Sequence, residues 1–268
     1  MITLDDKTIY IVSDLHMGNG SKADSFAPYA KIFNDFLDMV DQDPNGILII
    51  AGDVFELWQF SSGNIFKTYF DLIKRLINMN TIFIIGNHDI DLFGFIDSPL
   101  KLSFLDQLKN DVQIERGGQK IKIIHGHEFD IFNNPSKSLF MGRIVTLLVG
   151  EYEKNNQDFD KWAEKYLEPF FRKLSLFAMN FYSRFFGKSQ SQVEGKLSKI
   201  LEKYHKNNPN EFIVSGHTHY PGWFGDWYVN TGSWERKDNP HYVKITPDGS
   251  VTLYKYPENT IVTKQYNS

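Results

Sequence analysis

The sequence predicts an α/β fold, and three observations carry that expectation. Between residues 8 and 85 apolar runs alternate with helix-period segments in the order strand, helix, strand, helix, strand. Five apolar runs end the same way, in Gly or Ser followed by polar residues that cannot continue a buried strand: I-V-S-D-L-H (11–16), I-I-A-G-D (49–53), F-I-I-G-N-H-D (83–89), I-I-H-G-H (123–127) and F-I-V-S-G-H-T-H (212–219). Beyond about Asp111 the texture changes to short strands separated by turns.

Taken in order, residues 8–13 read as a buried strand. Residues 27–41 read as an amphipathic helix, with Phe33, Phe36, Leu37 and Val40 near helical spacing. D-P-N-G (43–46) turns the chain into a second strand, Ile47 to Ala51. A helix over about 64–79 and a strand at Thr81–Ile85 follow. That alternation argues for parallel βαβ units, with ligands gathered beyond the carboxyl ends of the strands. Short strands are expected at Val112–Glu115, at Lys120–His125 after the R-G-G turn, and at 212–215, 227–230, 241–246 and 250–256. Together they suggest a second sheet, mostly hairpin-connected, packed on the first. Residues from about 133 to 210 are helical in pattern. They read as a cap inserted into a single domain spanning 1–268.

Composition narrows the function. A net charge of −4 gives no support to a nucleic-acid-coating role, and no nucleic acid is expected as a partner. The absence of cysteine excludes disulfides, thiolate zinc sites and cysteine nucleophiles, and fits a reducing compartment. No run approaches the roughly 18 apolar residues of a spanning helix, and M-I-T-L-D-D-K has no signal-peptide pattern. The expectation is a cytoplasmic protein, with peripheral contact at the inner membrane surface as an option.

The five segment ends bring seven oxygen and nitrogen donors into one order: Asp14, His16, Asp53, Asn87, His125, His217 and His219. Such donors suit two divalent cations of hard to borderline character; manganese leads, with iron, zinc and cobalt as alternatives. Asp14 and His16, two apart, can turn to one ion, joined by His219. Asp53 has two oxygens and can bridge. Asn87 supplies a neutral oxygen to the second ion, with His125 and His217. Ions ~3.5–4 Å apart can clamp a phosphoryl group for in-line attack. His88 needs no metal and can stand over the leaving-group oxygen as a general acid, with Glu56 orienting its ring.

D-x-H, G-D, G-N-H-D, a later His and G-H-x-H in this order resemble the calcineurin-like metallophosphoesterases, over roughly 1–130 and 211–260. The resemblance implies a four-layer α/β/β/α sandwich. It also implies one metal on Asp14, His16, Asp53 and His219, another on Asp53, Asn87, His125 and His217, and His88 acting on the leaving group. S-D-L-H-M-G, G-D-V-F-E-L-W (52–58) and the aromatic cap are similar to the UDP-2,3-diacylglucosamine hydrolases, which release UMP and a diacylated sugar phosphate. At His88, where that subfamily typically carries Arg, and at H-G-H-E-F-D, where it typically reads H-G-D, the chain follows the broader superfamily.

Several residues keep two readings at this level. His127 reads as a substrate contact or a support behind a ligand. Trp58 is a core wedge or part of a substrate wall. His205 and His241, with no motif around them, read as surface residues. In the stretch 170–188, Phe170, Leu174, Phe177, Phe181 and Phe185 fall at helical core spacing, while Phe171, Leu176, Tyr182 and Phe186 lie on other faces. With Arg172 and Lys173 interleaved as candidate substrate contacts, that surface suits acyl chains, a membrane or a homodimer interface. The function reading is therefore a two-metal phosphoester or pyrophosphate hydrolase acting on a nucleotide-linked lipid. A soluble phosphodiesterase or phosphoprotein phosphatase, and a non-catalytic metal-binding scaffold, are the alternatives.

Overall fold

Strict alternation along the strands builds the architecture. In the computed structural model, which describes residues 4–90, 92, 107–129, 201–235 and 240–263, β1 (Thr8–Val12) is buried on both faces. Its Ile9 and Ile11 point to one side, and Tyr10 and Val12 to the other. A single 3-10 turn (Ala27–Tyr29) leads into α1 (Ala30–Asp41), which buries Phe33, Phe36, Leu37 and Val40, the stripe that the 3.6-residue period predicts. β2 (Gly46–Ala51) pairs parallel with β1.

The helix expected over 64–79 is two helices, α2 (Ser62–Thr68) and α3 (Phe70–Asn78). The break falls at Tyr69, where φ −110° and ψ 26° leave the helical region. The buried Tyr69 hydroxyl donates to Asp24 Oδ2 at 2.5 Å, a tertiary tie that local periodicity cannot register. β3 (Ile82–Ile84) and the two-residue β4 (Leu108–Lys109) extend the parallel series. The hairpin β5 (Val112–Arg116) and β6 (Gln119–Ile123) opens the second sheet, and β7 (Glu211–Ser215), β8 (Gly222–Trp223) and β9 (Tyr228–Asn230) complete it. β10 (His241–Ile245), β11 (Val251–Lys255) and β12 (Thr260–Ile261) follow.

Two expectations are corrected here. The last three strands belong to the first sheet, whose order is β12-β11-β10-β1-β2-β3-β4. β10 runs antiparallel to β1, with Ile245 opposite Ile9 and Val243 opposite Ile11, so its apolar side chains join the layer between the sheets. The second sheet, β5-β6-β7-β9-β8, is not mostly hairpin-connected either, because β6 pairs parallel with β7 and β7 with β9. Short apolar runs reveal strands but not partners, and pairing is set by which buried faces meet.

Among the described residues, three apolar layers separate four layers of structure, the sandwich the motifs imply. Helices α1 to α3 cover one face of the first sheet through Tyr10, Val12, Leu48, Ile50 and Phe83. The two sheets pack through Ile9, Ile49, Ile84, Ile121 and Val214. On the outer face of the second sheet, Ile213 and Tyr228 meet Leu201 and Tyr204 of the helical residues 201–207. The cap expected over about 133–210, with Arg172, Lys173 and the aromatic stretch, lies outside the described residues except for its end at 201–210. Among the described residues, no helix is long and apolar enough to cross a membrane.

Candidate metal centre

All seven predicted donors lie just past the carboxyl ends of β1, β2, β3, β6 and β7, and the fold brings them together. Asp14 Oδ1, His16 Nε2 and His219 Nε2 form one group, and Asp53, His125 and His217 another. In the first, the two Nε2 atoms are 3.3 Å apart, and Asp14 Oδ1 lies 3.1 Å from His219 Nε2 and 3.8 Å from His16 Nε2. In the second, Asn87 Oδ1 is 3.0 Å from His125 Nε2 and 3.1 Å from His217 Nδ1, while Asp53 Oδ2 is 3.1 Å from His125 Nε2. The same Asp53 Oδ2 lies 3.8 Å from His16 Nε2, so one carboxylate oxygen faces both groups.

The far sides of these rings fix which nitrogen faces inward. His16 Nδ1–H donates to Glu56 Oε2 (2.9 Å), and His219 Nδ1–H to Glu235 Oε1 (2.7 Å). His125 Nδ1–H donates to the Ala51 carbonyl (2.8 Å). Because carboxylates and carbonyls only accept, each Nε2 of the neutral ring presents a lone pair to the centre. Asp14 Oδ2 is occupied by the Ser13 hydroxyl and by the His217 N–H at 3.0 Å, whereas buried Asp14 Oδ1 accepts no hydrogen bond. A single proton can join one pair among Asp14 Oδ1, His16 Nε2 and His219 Nε2; a divalent cation satisfies all three together. This donor set therefore fits a divalent cation.

The backbone is bent to make this geometry. Asp14, His16, Asp53, His217 and His219 all take positive φ, between 49° and 72°. Non-glycine residues in that region store roughly 1–3 kcal/mol each, and such strain concentrates at functional sites. The motif glycines explain themselves sterically. A Cβ on Gly86 would fall on Asp53, one on Gly52 on the His125 ring, and one on Gly216 on Ser13 and Asp14. Each glycine yields its space to a donor from a different strand.

Electrostatics concentrates charge at the centre. Burial pushes the Asp53 carboxyl up, but His125 and His88 outweigh it and hold it well below the usual range. Asp14 is depressed in the same way by His219 and His16. Burial pulls the imidazoles down, yet Asp53 lifts His125 to about 10, and Glu235 with Asp14 lifts His219 to about 9. In the absence of cations, protons thus take up the positive charge that the carboxylates demand.

His88 stands beside the donors. Its Nδ1 lies 2.9 Å from Oε1 and 2.7 Å from Oε2 of Glu56, and its backbone N–H donates to Asp53 Oδ1 at 2.8 Å. Glu56 therefore reaches His16 as well as His88, a second contact the sequence did not suggest. His16, Glu56 and His88 are close enough to hold an ion themselves, but the Nδ1–H groups of both rings already fill the carboxylate. Trp58 is buried and stacks on the His88 ring, with centroids 4.1 Å apart at 22°. His127 is buried with its ring 5.4 Å from that of His125. His241, expected at the surface, is buried in β10, and His205 is half-buried and stacked on Trp227 at 4.5 Å.

Sequence reasoning missed three supporting residues. Glu235 backs His219. Ser13 donates to Asp14. Buried Asp89 accepts the N–H groups of Val54 (2.7 Å) and Gly86 (2.6 Å), tying the loop of Asp53 to that of Asn87. Burial and Asp53 raise the Asp89 carboxyl to about 6. The signal for Asp89 stood inside G-N-H-D; Glu235, in G-S-W-E, had none.

A profile of the calcineurin-like phosphoesterase family matches residues 7–221, well over half of the chain. No curated protein sequence matches. Among solved structures the chain is similar to zinc-complexed wild-type Vps29 from Entamoeba histolytica, at 14% identity over 95% of this chain and 96% of that one, with a TM-score of 0.43. It is also similar to an archaeal phosphodiesterase, at 14% identity over 95% of this chain and 99% of that one, with a TM-score of 0.42.

Proposed function

Because the chain belongs to the calcineurin-like phosphoesterase family, we propose that it hydrolyses phosphoester or pyrophosphate bonds at a two-cation centre. One observation carries the reading: two donor groups turn ring nitrogens inward around Asp53 Oδ2, which lies 3.1 Å from His125 Nε2 and 3.8 Å from His16 Nε2. Asp14, His16, Asp53 and His219 would hold one cation, and Asp53, Asn87, His125 and His217 the other. When bound, two such ions supply Lewis acidity toward a phosphoryl oxygen and make water nucleophilic near neutral pH. Manganese, iron, zinc and cobalt all suit the donors.

The protein's own groups do the rest. Glu56 holds His88 through Nδ1, leaving Nε2 to give its proton to the departing oxygen, and Trp58 limits the tilt of that ring. Two groups pinning one imidazole restrict it to a narrow range of orientations, which is what proton delivery to a single atom requires. His127, beside His125, supports the second position.

For the substrate we infer a nucleotide-linked lipid of the UDP-2,3-diacylglucosamine kind, cleaved to UMP and a lipid sugar phosphate at a membrane surface. S-D-L-H-M-G, G-D-V-F-E-L-W and the aromatic-basic stretch with Arg172 and Lys173 support this reading. The test is manganese-supplemented hydrolysis of that lipid beside a soluble phosphodiester, each with an Asp53→Ala control. UMP release lost in the control supports the lipid reading. Turnover of the soluble ester alone reassigns the substrate and leaves the chemistry standing. No turnover of any ester by manganese-loaded protein would mean a binding scaffold.

A further inference from the structure

We infer that Glu235 is a positioning residue for one cation, turning His219 so that Nε2 faces Asp14 and His16, and that it strengthens binding at that position alone. This inference rests on the two-cation reading. Glu235 lies beyond residues 7–221, the span matched by the family profile.

Its geometry is specific. Oε1 accepts the His219 Nδ1–H at 2.7 Å, on the side of the ring opposite Nε2, and Oε2 accepts the Ser25 hydroxyl at 3.1 Å. The preceding residue locks the backbone. Trp234 is fully buried, its N–H donates to the Asp14 carbonyl (3.1 Å), and its indole N–H donates to the His241 carbonyl (2.9 Å). Its ring packs 5.0 Å from both Phe33 and Phe36. The carboxylate is thus carried by the core and placed against His219.

The first position is backed by two carboxylates. Both imidazoles of the first, His16 and His219, have carboxylates behind them, Glu56 and Glu235. Among the described residues, the Ala51 carbonyl backs His125 at the second, and Asn87 there is neutral. A carboxylate accepting the far N–H makes an imidazole a stronger donor and fixes its orientation; loss of such a partner typically weakens metal binding roughly 10- to 100-fold.

The experiment is manganese titration of the chelator-stripped full chain, with free Mn2+ read by electron paramagnetic resonance. The wild type should bind two equivalents. Glu235→Ala should weaken one of them roughly 10- to 100-fold and leave the other at wild-type affinity. Glu235→Gln, which can still accept the Nδ1–H but has no charge, should fall between. In an Asn87→Ala background, which weakens the second position, Glu235→Ala should weaken the tighter remaining equivalent. Ser25→Ala, which cuts only the loop tie, should leave both affinities within about twofold, and urea unfolding of the stripped variants reports any loss of fold. The inference is overturned if Glu235→Ala binds both equivalents as the wild type does, weakens both alike, or is matched by Ser25→Ala. A wild type that binds fewer than two equivalents overturns the two-cation reading itself.

Discussion

Gly86→Ala adds one methyl group and tests the whole construction of the centre. That Cβ would fall on Oδ1 and the backbone nitrogen of Asp53, and 2.8 Å from its Cγ, where ordinary carbon contacts are about 3.5–4.0 Å. Relief is hard to find. Asp53 is buried, sits at φ 51°, accepts the His88 N–H through Oδ1 and faces both donor groups through Oδ2. Overpacking of this kind costs about 1–3 kcal/mol, and moving a carboxylate that faces both donor groups by about 1 Å can cost on the order of 100-fold in rate. Gly63→Ala is the matched control, since a Cβ there meets nothing within 4 Å and the residue lies in α2. It should be neutral or stabilise by up to about 1 kcal/mol. Urea unfolding of stripped protein, manganese stoichiometry and kcat/KM on a phosphodiester would be measured for both variants. Gly86→Ala with two manganese ions and wild-type kcat/KM would refute the claim that this glycine exists to make room for Asp53.

Three further outcomes are expected. His88→Ala should keep both cations and slow turnover, with the loss growing as the leaving group becomes more basic; an equal loss for p-nitrophenol and alkoxide esters would remove His88 from the acid role. Glu56→Ala should damage two functions together, because its carboxylate holds both His16 and His88. Weaker manganese binding should therefore accompany the His88→Ala leaving-group pattern, and wild-type affinity would show that His16 needs no support. The third concerns pH. His125 and His219 are raised from 6.5 to about 10 and about 9 in the cation-free protein. A raised imidazole stabilises the fold fully below about 6.5, and that contribution is lost as pH climbs through 9 to 10. Stripped protein should accordingly lose thermal stability across that window. Cations must displace the same protons, so manganese uptake at pH 7.5 should release protons. Calorimetric heats that do not change with the buffer's ionisation enthalpy would contradict this.

Much of the centre was legible because its donors follow strand ends. A buried strand must stop where polar residues begin, and a Gly beside Asp53, Asn87 or His217 announces a crowded approach. The stripe Phe33, Phe36, Leu37 and Val40 announced α1 in the same local way. Supports of the donors were harder to see. Glu56 stood near His88 in expectation only because it lies three positions after Asp53, and its bond to His16 crosses forty positions. Glu235 joins His219 from a loop whose position depends on Trp234 entering the aromatic core.

Local pattern was therefore enough for the fold class, the strand ends and the seven side chains that the fold brings together, because periodicity and side-chain chemistry are properties of short segments. It could not decide that β10 to β12 complete the first sheet, that the helix breaks at Tyr69, or that Trp58 lies flat on His88. Nor could it decide which nitrogen of each histidine turns inward. Those outcomes depend on contacts between segments far apart in the chain, where the burial of one face or the far side of one ring selects among arrangements that are locally equivalent.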